Sequence, residues 1–487
     1  MKENNSIHNL AKYVLAQSKD NQFPIKSQAE IFKILLESVS KINFFAEKYP
    51  DAKSNTDDVK AKKLTKPDYI VIVIDKTLEL AKKDNWSLCK HNGNIYLFNG
   101  AFWQVVEKAK FLNFLGKVAE RLGVEKNTAR YHQFKDELFR QFLSTAYLEI
   151  PANDNLPTLI NLQNGTFEIS EHSQVLREFR ESDFLTYQMP FEFDTDATAS
   201  RWKKFLNEVL PNNGKQKILA ESIANVFINP SVLKLEKVLI LLGIGSNGKS
   251  VVFEVVSALL GRENISNYSL QSLTNESGYQ RAKIGNKLLN YASELNGRLE
   301  TDIFKQLASG EPIECRLPYG EPFILNTYAN LMFNCNSLPR DVELTSAFFR
   351  RFNILHFDVT IPEDKQDREL SSKIIDNELS GVFNWVLDGL QRLLAQKGFS
   401  ECKAVNDARL IYENESDSVK AFVDDYQYIP DADNYTLVKI MYEQYRAFCY
   451  DDGFKPVNKM NFKKRLTNYK MYVKRLAVGY VCNAVIQ

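Results

Sequence analysis

Gly243-Ile244-Gly245-Ser246-Asn247-Gly248-Lys249-Ser250 is a complete GxxxxGK[ST] stretch, and its flanks decide how it folds. Before it runs Val238-Leu239-Ile240-Leu241-Leu242, apolar and of strand length. After it comes Val251-Val252-Phe253-Glu254-Val255-Val256, the start of an amphipathic helix. A buried strand therefore feeds a glycine-rich turn that opens a helix. In such a turn backbone N–H groups crowd round phosphate oxygens, and the helix start adds the positive end of a dipole. Lys249 reaches the β- and γ-phosphates, and the Ser250 hydroxyl is placed to ligate Mg²⁺. Residues 243–250 are read as a P-loop for a nucleoside triphosphate, with ATP and Mg²⁺ as the expected cofactors.

Two more strand-like runs follow. Lys287-Leu288-Leu289-Asn290-Tyr291-Ala292 ends in Ser293-Glu294, and Ala329-Asn330-Leu331-Met332-Phe333-Asn334-Cys335-Asn336 ends in a polar turn. Three such runs separated by helical or irregular segments predict a parallel sheet with crossovers, an α/β core. Ligands of these sheets gather at the carboxyl ends of the strands, where the loop, Glu294 and Asn336 all fall. Glu294 is expected to hold Mg²⁺ or orient the attacking water; the alternative is a solvated glutamate. Asn336 either contacts the γ-phosphate or attacking water, or is a turn residue before Leu338-Pro339. In Ala347-Phe348-Phe349-Arg350-Arg351-Phe352 the arginines are either exposed positions or a finger acting on a neighbouring subunit's ATP. The helical stretch from about Ala199, with Trp202 and Phe205, reads as a lead-in rather than part of the site.

The rest of the chain bounds these readings. A length of 487 residues predicts about two to four domains. With 62 basic and 61 acidic residues, net charge names no partner. Six scattered cysteines contain no CxxC pair, so neither a zinc module nor a disulfide framework is expected. No run approaches the roughly 18 apolar residues of a membrane span, and no basic start leads an apolar core. The expectation is a cytoplasmic protein without membrane contact. Residues 1–80 read as a helical region with a polar linker from Asp51 to Lys66, and residues 81–198 as a mixed accessory domain. That domain has hairpins at Asn99-Gly100 and Asn164-Gly165 and helices near 111–122 and 132–147. Residues 199–400 would hold the ATPase and 401–487 a further module.

In that last region the charges separate. Glu413 to Asp433 is acidic, whereas Lys455 to Arg475 carries eight basic residues, no acid, and the interleaved Tyr469 and Tyr472. Asn461 to Leu466 reads as a helix with Lys463, Lys464 and Arg465 on a basic face, followed by a short hairpin through Tyr472-Val473 and Gly479-Tyr480-Val481. This order predicts a winged-helix-like module on duplex or forked DNA, or a solvated basic face. Between them, Glu314-Cys315-Arg316-Leu317-Pro318-Tyr319-Gly320-Glu321 is a hairpin. It is either a plain surface turn or one that offers Arg316 to a phosphate and Tyr319 to a base.

The ordered set of GxGxNGKS, Ala-Ser-Glu-Leu, Phe-Lys-Gln-Leu-Ala-Ser-Gly-Glu-Pro-Ile, Asn-Cys-Asn-Ser-Leu-Pro and Ala-Phe-Phe-Arg-Arg-Phe resembles a superfamily 3 helicase. More narrowly, it is similar to the phage/plasmid and poxvirus primase-helicase family, over residues 155–360 and more loosely from 85. The resemblance implies an AAA+-like core in which Gly243, Gly245, Gly248, Lys249 and Ser250 hold phosphate and metal. It makes Glu294 the Walker B acid, Asn336 sensor 1, and Arg350 or Arg351 the finger. Lys305, Gly310, Glu311 and Arg316 match the segment leading to a DNA-contacting hairpin. The lone acid after Ser293 and the Ser309-Gly310-Glu311 sequence depart from the family pattern. No paired acids or cysteine cluster of a primase stand in the first 150 residues, so primer synthesis is not expected. The expectation is an ATP-dependent helicase of phage, plasmid or mobile-element replication in a bacterial host. It would act as a homo-hexamer or similar ring on single-stranded or forked DNA, with a separate primase or initiator as a further partner. The alternatives are an ATP-switched replication initiator and, third, a metabolite kinase.

Overall fold

Two Asn-Gly turns organise the amino-terminal half. The structure, a computed structural model, describes residues 26–50, 63–91, 93–147, 157–170, 173–293, 295, 299–318, 320–339, 342 and 344–487. Glu294, Tyr319 and most of the polar stretch from Asp51 lie outside them. The described residues divide into two units between Thr195 and Asp196.

In the first unit, helices Gln28–Ser38 and Lys66–Lys83 precede an antiparallel sheet of β1 (Leu88–His91), β2 (Asn94–Phe98) and β3 (Trp103–Val106). Asn99 closes the β2–β3 turn by accepting from the Ala101 and Phe102 amides at 3.0 and 2.9 Å. Helices Lys108–Leu122 and His132–Thr145 share one core with Lys66–Lys83, through Val73, Phe111, Leu115 and Leu138. The boundary expected at residue 80 falls inside one of these helices. A second sheet, β4 (Thr158–Leu162), β5 (Gly165–Ile169) and β6 (Gln174–Arg177), turns at Asn164-Gly165. Asn161 is buried and donates from Nδ2 to the carbonyls of Ala101 and Tyr187, both at 3.0 Å.

The second unit is built on five parallel strands: β7 (Val238–Leu242), β8 (Ile265–Ser266), β9 (Leu289–Ala292), β12 (Asn330–Cys335) and β13 (Phe352–His356). An antiparallel hairpin of β10 (Ile313–Cys315) and β11 (Phe323–Leu325) lies between β9 and β12 in the chain. The sheet order is β13-β7-β12-β9-β8, so β7 has a later strand on each side. Near-continuous apolar runs are what a sheet covered on both faces needs. One face packs Phe304, Phe348, Phe352 and Tyr412. Helices Asn213–Ala224 and Lys249–Leu260 each pack against Leu370–Gln396. The three strands expected from apolar runs are present; β8 and β13 join them.

Helix Lys403–Ser416 packs on β13, and its Tyr412 donates to the Pro339 carbonyl at 2.9 Å. The expected boundary at 400 therefore precedes a helix that belongs to the sheet's own core. A separate core starts at Val419 and includes Phe422, Met441, Tyr445, Phe462 and Cys482. It joins helices Ser418–Asp425, Val438–Asp451 and Lys459–Leu466 to β14 (Tyr428–Pro430), β15 (Thr436–Leu437), β16 (Val473–Leu476), β17 (Gly479–Cys482) and β18 (Ala484–Ile486). β15, β17 and β16 form a sheet, and β14 pairs with β18. Among the described residues no helix is long and apolar enough to cross a membrane.

Helix Ser200–Val209 is fixed at its start by a distant acid. Glu378, buried on helix Leu370–Gln396, accepts from the Arg201 amide at 3.1 and 3.0 Å and from the Trp202 amide at 3.1 Å. A carboxylate satisfies the orphan N–H groups and opposes the helix dipole. Glu378→Ala should cost about 1–3 kcal/mol and lower the thermal midpoint by several degrees. Arg201→Ala should cost less, because its guanidinium is half exposed. Thermal denaturation of the two variants side by side checks the difference; equal midpoints would count against the cap.

Candidate functional site

The glycine-rich loop leaves β7 at Leu242 and ends where Lys249 opens its helix. The Gly243 amide donates to the Cys335 carbonyl at 3.1 Å, tying the loop to the end of β12. The Ile361 amide donates to the Ser246 carbonyl at 2.7 Å, and Asn247 Nδ2 to the Phe357 carbonyl at 3.4 Å, tying it to the segment after β13. Two glycines make this packing feasible. Gly248 has φ +85°, and a Cβ there would sit 2.8 Å from the Phe205 ring. At Gly243 a Cβ would lie 2.1 Å from Asn247 Nδ2.

Lys249 is the focus of the site. It is 7% exposed, and its Nζ donates to the Gly243 carbonyl at 2.5 Å and to Asn247 Oδ1 at 3.1 Å. No carboxylate pairs with it among the described residues, and burial lowers its pKa below the ordinary lysine value. The neighbouring Cys335 thiol is pushed up to about 12 by burial, so it stays neutral and supplies no counter-charge. The helix behind Lys249 has no side-chain cap. A buried cation and a set of orphan amides thus face the same space, and an anion from outside would satisfy both.

That space is a cleft of about 1320 Å³. Gly245 to Ser250 form its floor, with Ser293, Asn334 and Asn336 at the carboxyl ends of β9 and β12. Ser250 stands in the first turn of the loop helix, and Glu294 adjoins Ser293 just outside the described residues. Ile244 belongs to the loop but is 83% exposed, and neither it nor Gly243 lines the cleft. The helix Ser200–Val209 is a wall: Arg201, Lys204, Phe205 and Glu208 line the cleft, which corrects the reading of this helix as a mere lead-in. Its buried Trp202, Leu206 and Val209 do not line the cleft; Val209 packs with Phe205 against Gly248 of the loop, and Arg201, Lys204 and Glu208 give the site a polar edge. Lys365 and Arg368, after β13, also line the cleft and were missed. No motif marks them, since a cation on a connecting segment resembles any solvated residue.

Neither arginine of the pair lines this cleft. The Arg351 carbonyl accepts from the Val238 amide at 2.8 Å, which puts both arginines at the amino end of β7. The cleft lies at the other end of that strand, roughly 13 Å away for five residues. Their environments also differ. Arg351 is buried, donates to Ser309 Oγ at 2.9 Å, and lies 3.6 Å from the Glu236 carboxylate. Arg350 is 59% exposed and pairs with Glu236 at 3.1 Å.

The residues expected to meet DNA are dispersed. Lys305 pairs with Asp302 at 3.4 Å on helix Thr301–Ser309. Gly310 ends that helix with φ +65°, and Glu311 pairs with Lys234 at 2.9 Å. Arg316 follows β10 and lies over the Tyr279 ring at 5.0 Å. On helix Lys459–Leu466, Lys464 is exposed and Lys463 lies over the Tyr480 ring of β17 at 4.0 Å. Arg465 is turned inward, 3.5 Å from the Asp417 carboxylate.

Residues 241–351 match a family described as of unknown function (DUF5906), and residues 73–211 match one described as D5 N terminal like. The second match agrees with the resemblance to primase-helicases read from the motifs. Among solved structures, the A form apo structure of the NrS-1 C-terminal region is similar at 12% identity and TM-score 0.48, covering 84% of this chain and 98% of that one. A further apo structure of the same region gives 11% identity and TM-score 0.45 over the same shares.

The arginine environments give a direct stability contrast. Arg351→Ala removes a buried guanidinium and should cost about 2–4 kcal/mol. Arg350→Ala should stay within about 0.5 kcal/mol of the parent, as exposed pairs do. Denaturant titration measures both, and similar losses would contradict the burial difference.

Proposed function

We propose that this chain is an ATP-driven DNA helicase of the superfamily 3 type, with an AAA+-like core whose nucleotide site is the cleft above β7. The carrying observation is Lys249: a buried lysine with no carboxylate partner among the described residues, at an uncapped helix start, in a large cleft at the carboxyl ends of parallel strands. The anion that best fits this set is a polyphosphate. Lys249 and the loop amides bind its phosphates, and Ser250 with Glu294 holds Mg²⁺, which neutralises charge on the phosphoryl oxygens. Arg201, Lys204 and Phe205 close the side of the cleft.

The arginines support a ring. Set at the far end of the sheet, they do not serve their own cleft, whereas a neighbouring copy could receive one. Arg350 is the finger on this reading, because Arg351 is engaged inside its own subunit. Single-stranded DNA would meet the β10–β11 hairpin, where Leu317 and Ile324 are exposed beside Arg316. The carboxyl-terminal helices and the β16–β17 hairpin form a winged-helix-like module for duplex or forked DNA. Exposed Lys464, Tyr472, Lys474 and Arg475 support that reading. The setting is replication of a phage, plasmid or other mobile element in a bacterial cytoplasm, with a separate primase or initiator as a further partner.

Lys249→Ala should abolish ATP hydrolysis with little change in thermal midpoint. Arg350→Ala should still bind ATP but lose about 10³–10⁵ in turnover. Mixing the two inactive proteins should restore part of the rate, because some interfaces then unite an intact loop with an intact Arg350. No rescue between subunits that demonstrably exchange would count against the shared site. Strand displacement by the wild type separates a helicase from an initiator, which would bind duplex without unwinding it.

Lys464→Ala addresses the carboxyl-terminal module. It should lower the slope of log K against log salt for DNA binding by roughly 0.7–0.9, the share of one phosphate contact. An unchanged slope removes Lys464 from the interface.

A further inference from the structure

β9 and β12 end side by side at the cleft, and a buried hydrogen bond joins them there. The Tyr291 hydroxyl donates to Asn334 Oδ1 at 2.8 Å. Tyr291 is wholly buried, with the Phe253 ring edge-on at 4.7 Å. Burial pushes its phenol far above the ordinary range, so it remains an O–H donor at any working pH. Among the described residues Asn334 Oδ1 is the one acceptor for that hydrogen.

The consequence is directional. A carboxamide held by its oxygen turns its nitrogen the opposite way, and Asn334 lines the cleft. No acceptor among the described residues takes its two N–H bonds. With its oxygen held by Tyr291, the amide turns its two N–H donors to the cleft and is suited there to an anionic oxygen. Its chain neighbour Cys335 lies near Lys249, whose ammonium acts on that thiol's pKa, and Ser293 lines the cleft at the end of the adjoining β9. Asn334 thus stands on the β9 side of Lys249, beyond the loop. Asn336, two residues on and on the same strand face, is exposed, with no side-chain hydrogen bond among the described residues to fix it.

We infer that Asn334 is a fixed donor to the terminal phosphate of the bound nucleoside triphosphate, and that Tyr291 is the positioning residue that holds its amide in register. The inference rests on the nucleotide reading of the cleft. A donor already aimed at its target needs no reorganisation when charge develops, which is where such groups act most strongly. Without the phenol the amide is free to rotate and present its oxygen, which repels phosphate.

The test uses the full chain with Mg²⁺ and either ATP or ADP, measuring affinity by calorimetry and then steady-state hydrolysis. Asn334→Asp should weaken ATP about ten- to a hundredfold, while ADP stays within about twofold. Tyr291→Phe keeps the ring against Phe253 and should lower kcat about tenfold with ADP affinity unchanged. Because Tyr291 acts through Asn334, the double variant Tyr291→Phe/Asn334→Ala should be no slower than Asn334→Ala alone. Equal losses of ATP and ADP affinity, no loss of either, or additive rate losses overturn the assignment. Should Asn334→Asp fail to fold, the kcat and ADP affinity of Tyr291→Phe decide alone. If Lys249→Ala loses ATP but Asn334→Asp keeps the wild-type ATP-to-ADP ratio, the Asn334 assignment alone is wrong. A wild-type chain that binds no nucleotide overturns this inference and the nucleotide reading together.

Discussion

The register of β12 against β7 is the constraint on which the site depends. Cys335 stands opposite Leu242, and its carbonyl takes the Gly243 amide, so the glycine-rich turn starts level with the end of its neighbour. Side chains alternate along a strand, which sends Phe333 and Cys335 to one face and Asn334 and Asn336 to the other. A slip of one residue would exchange those faces. Apolar Phe333 would then meet the cleft, and Asn334 would enter the core of Phe304 and Phe348. The hydrophobic effect that sorts β12 thus also sets its polar residues beside the loop.

That placement has a local cost. Buried asparagines occupy β9, β12 and β13 at Asn290, Asn334 and Asn353, where apolar residues would pack more cheaply. Asn290 is repaid by structure: its oxygen accepts from Ser266 Oγ and the Tyr268 amide, both at 2.9 Å, and its nitrogen donates to the Tyr268 carbonyl at 2.8 Å. These bonds pin the two-residue β8 to the sheet edge. Asn334 is only half satisfied, and its open half faces the cleft. Asn290 thus holds the edge and Asn334 faces the site, whereas Asn353 Nδ2 has no partner among the described residues and does not line the cleft.

How much was legible in the sequence follows from how local each signal is. The glycine-rich loop, its strand and its helix are contiguous, so spacing alone gave them. β9 and β12 were readable as apolar runs with polar ends. β8 was not, because two residues carry no periodicity and its place comes from Asn290, distant in the chain. The wall from helix Ser200–Val209 was missed for a similar reason. Its amphipathic pattern predicts one buried face but says nothing of what its polar edge meets, and Glu378, which caps it, comes from a helix far along the chain. Arg350 and Arg351 read as equivalents in sequence, and only packing separates them. Glu294 and Tyr319 lie outside the described residues, so their readings stand as expectations from sequence.

Under the proposed function, that separation of the two arginines has mechanical meaning. Arg351 anchors through Ser309, the last residue of helix Thr301–Ser309, and β10 of the hairpin begins four residues later. Arg350 is the adjacent residue and projects outward. A neighbour's phosphate drawing on Arg350 would therefore pull on a segment whose next side chain is fixed to the root of the hairpin. Coupling of this kind needs two packed arrangements rather than a soft chain, and a buried guanidinium bound to Ser309 and Glu236 is a stiff connection. Replacing Arg351 by a flexible, singly charged lysine would keep the charge and lose the planar fork that holds both ends. On that reading the pair has two separate tasks, Arg350 outward to a neighbour and Arg351 inward to buried Ser309.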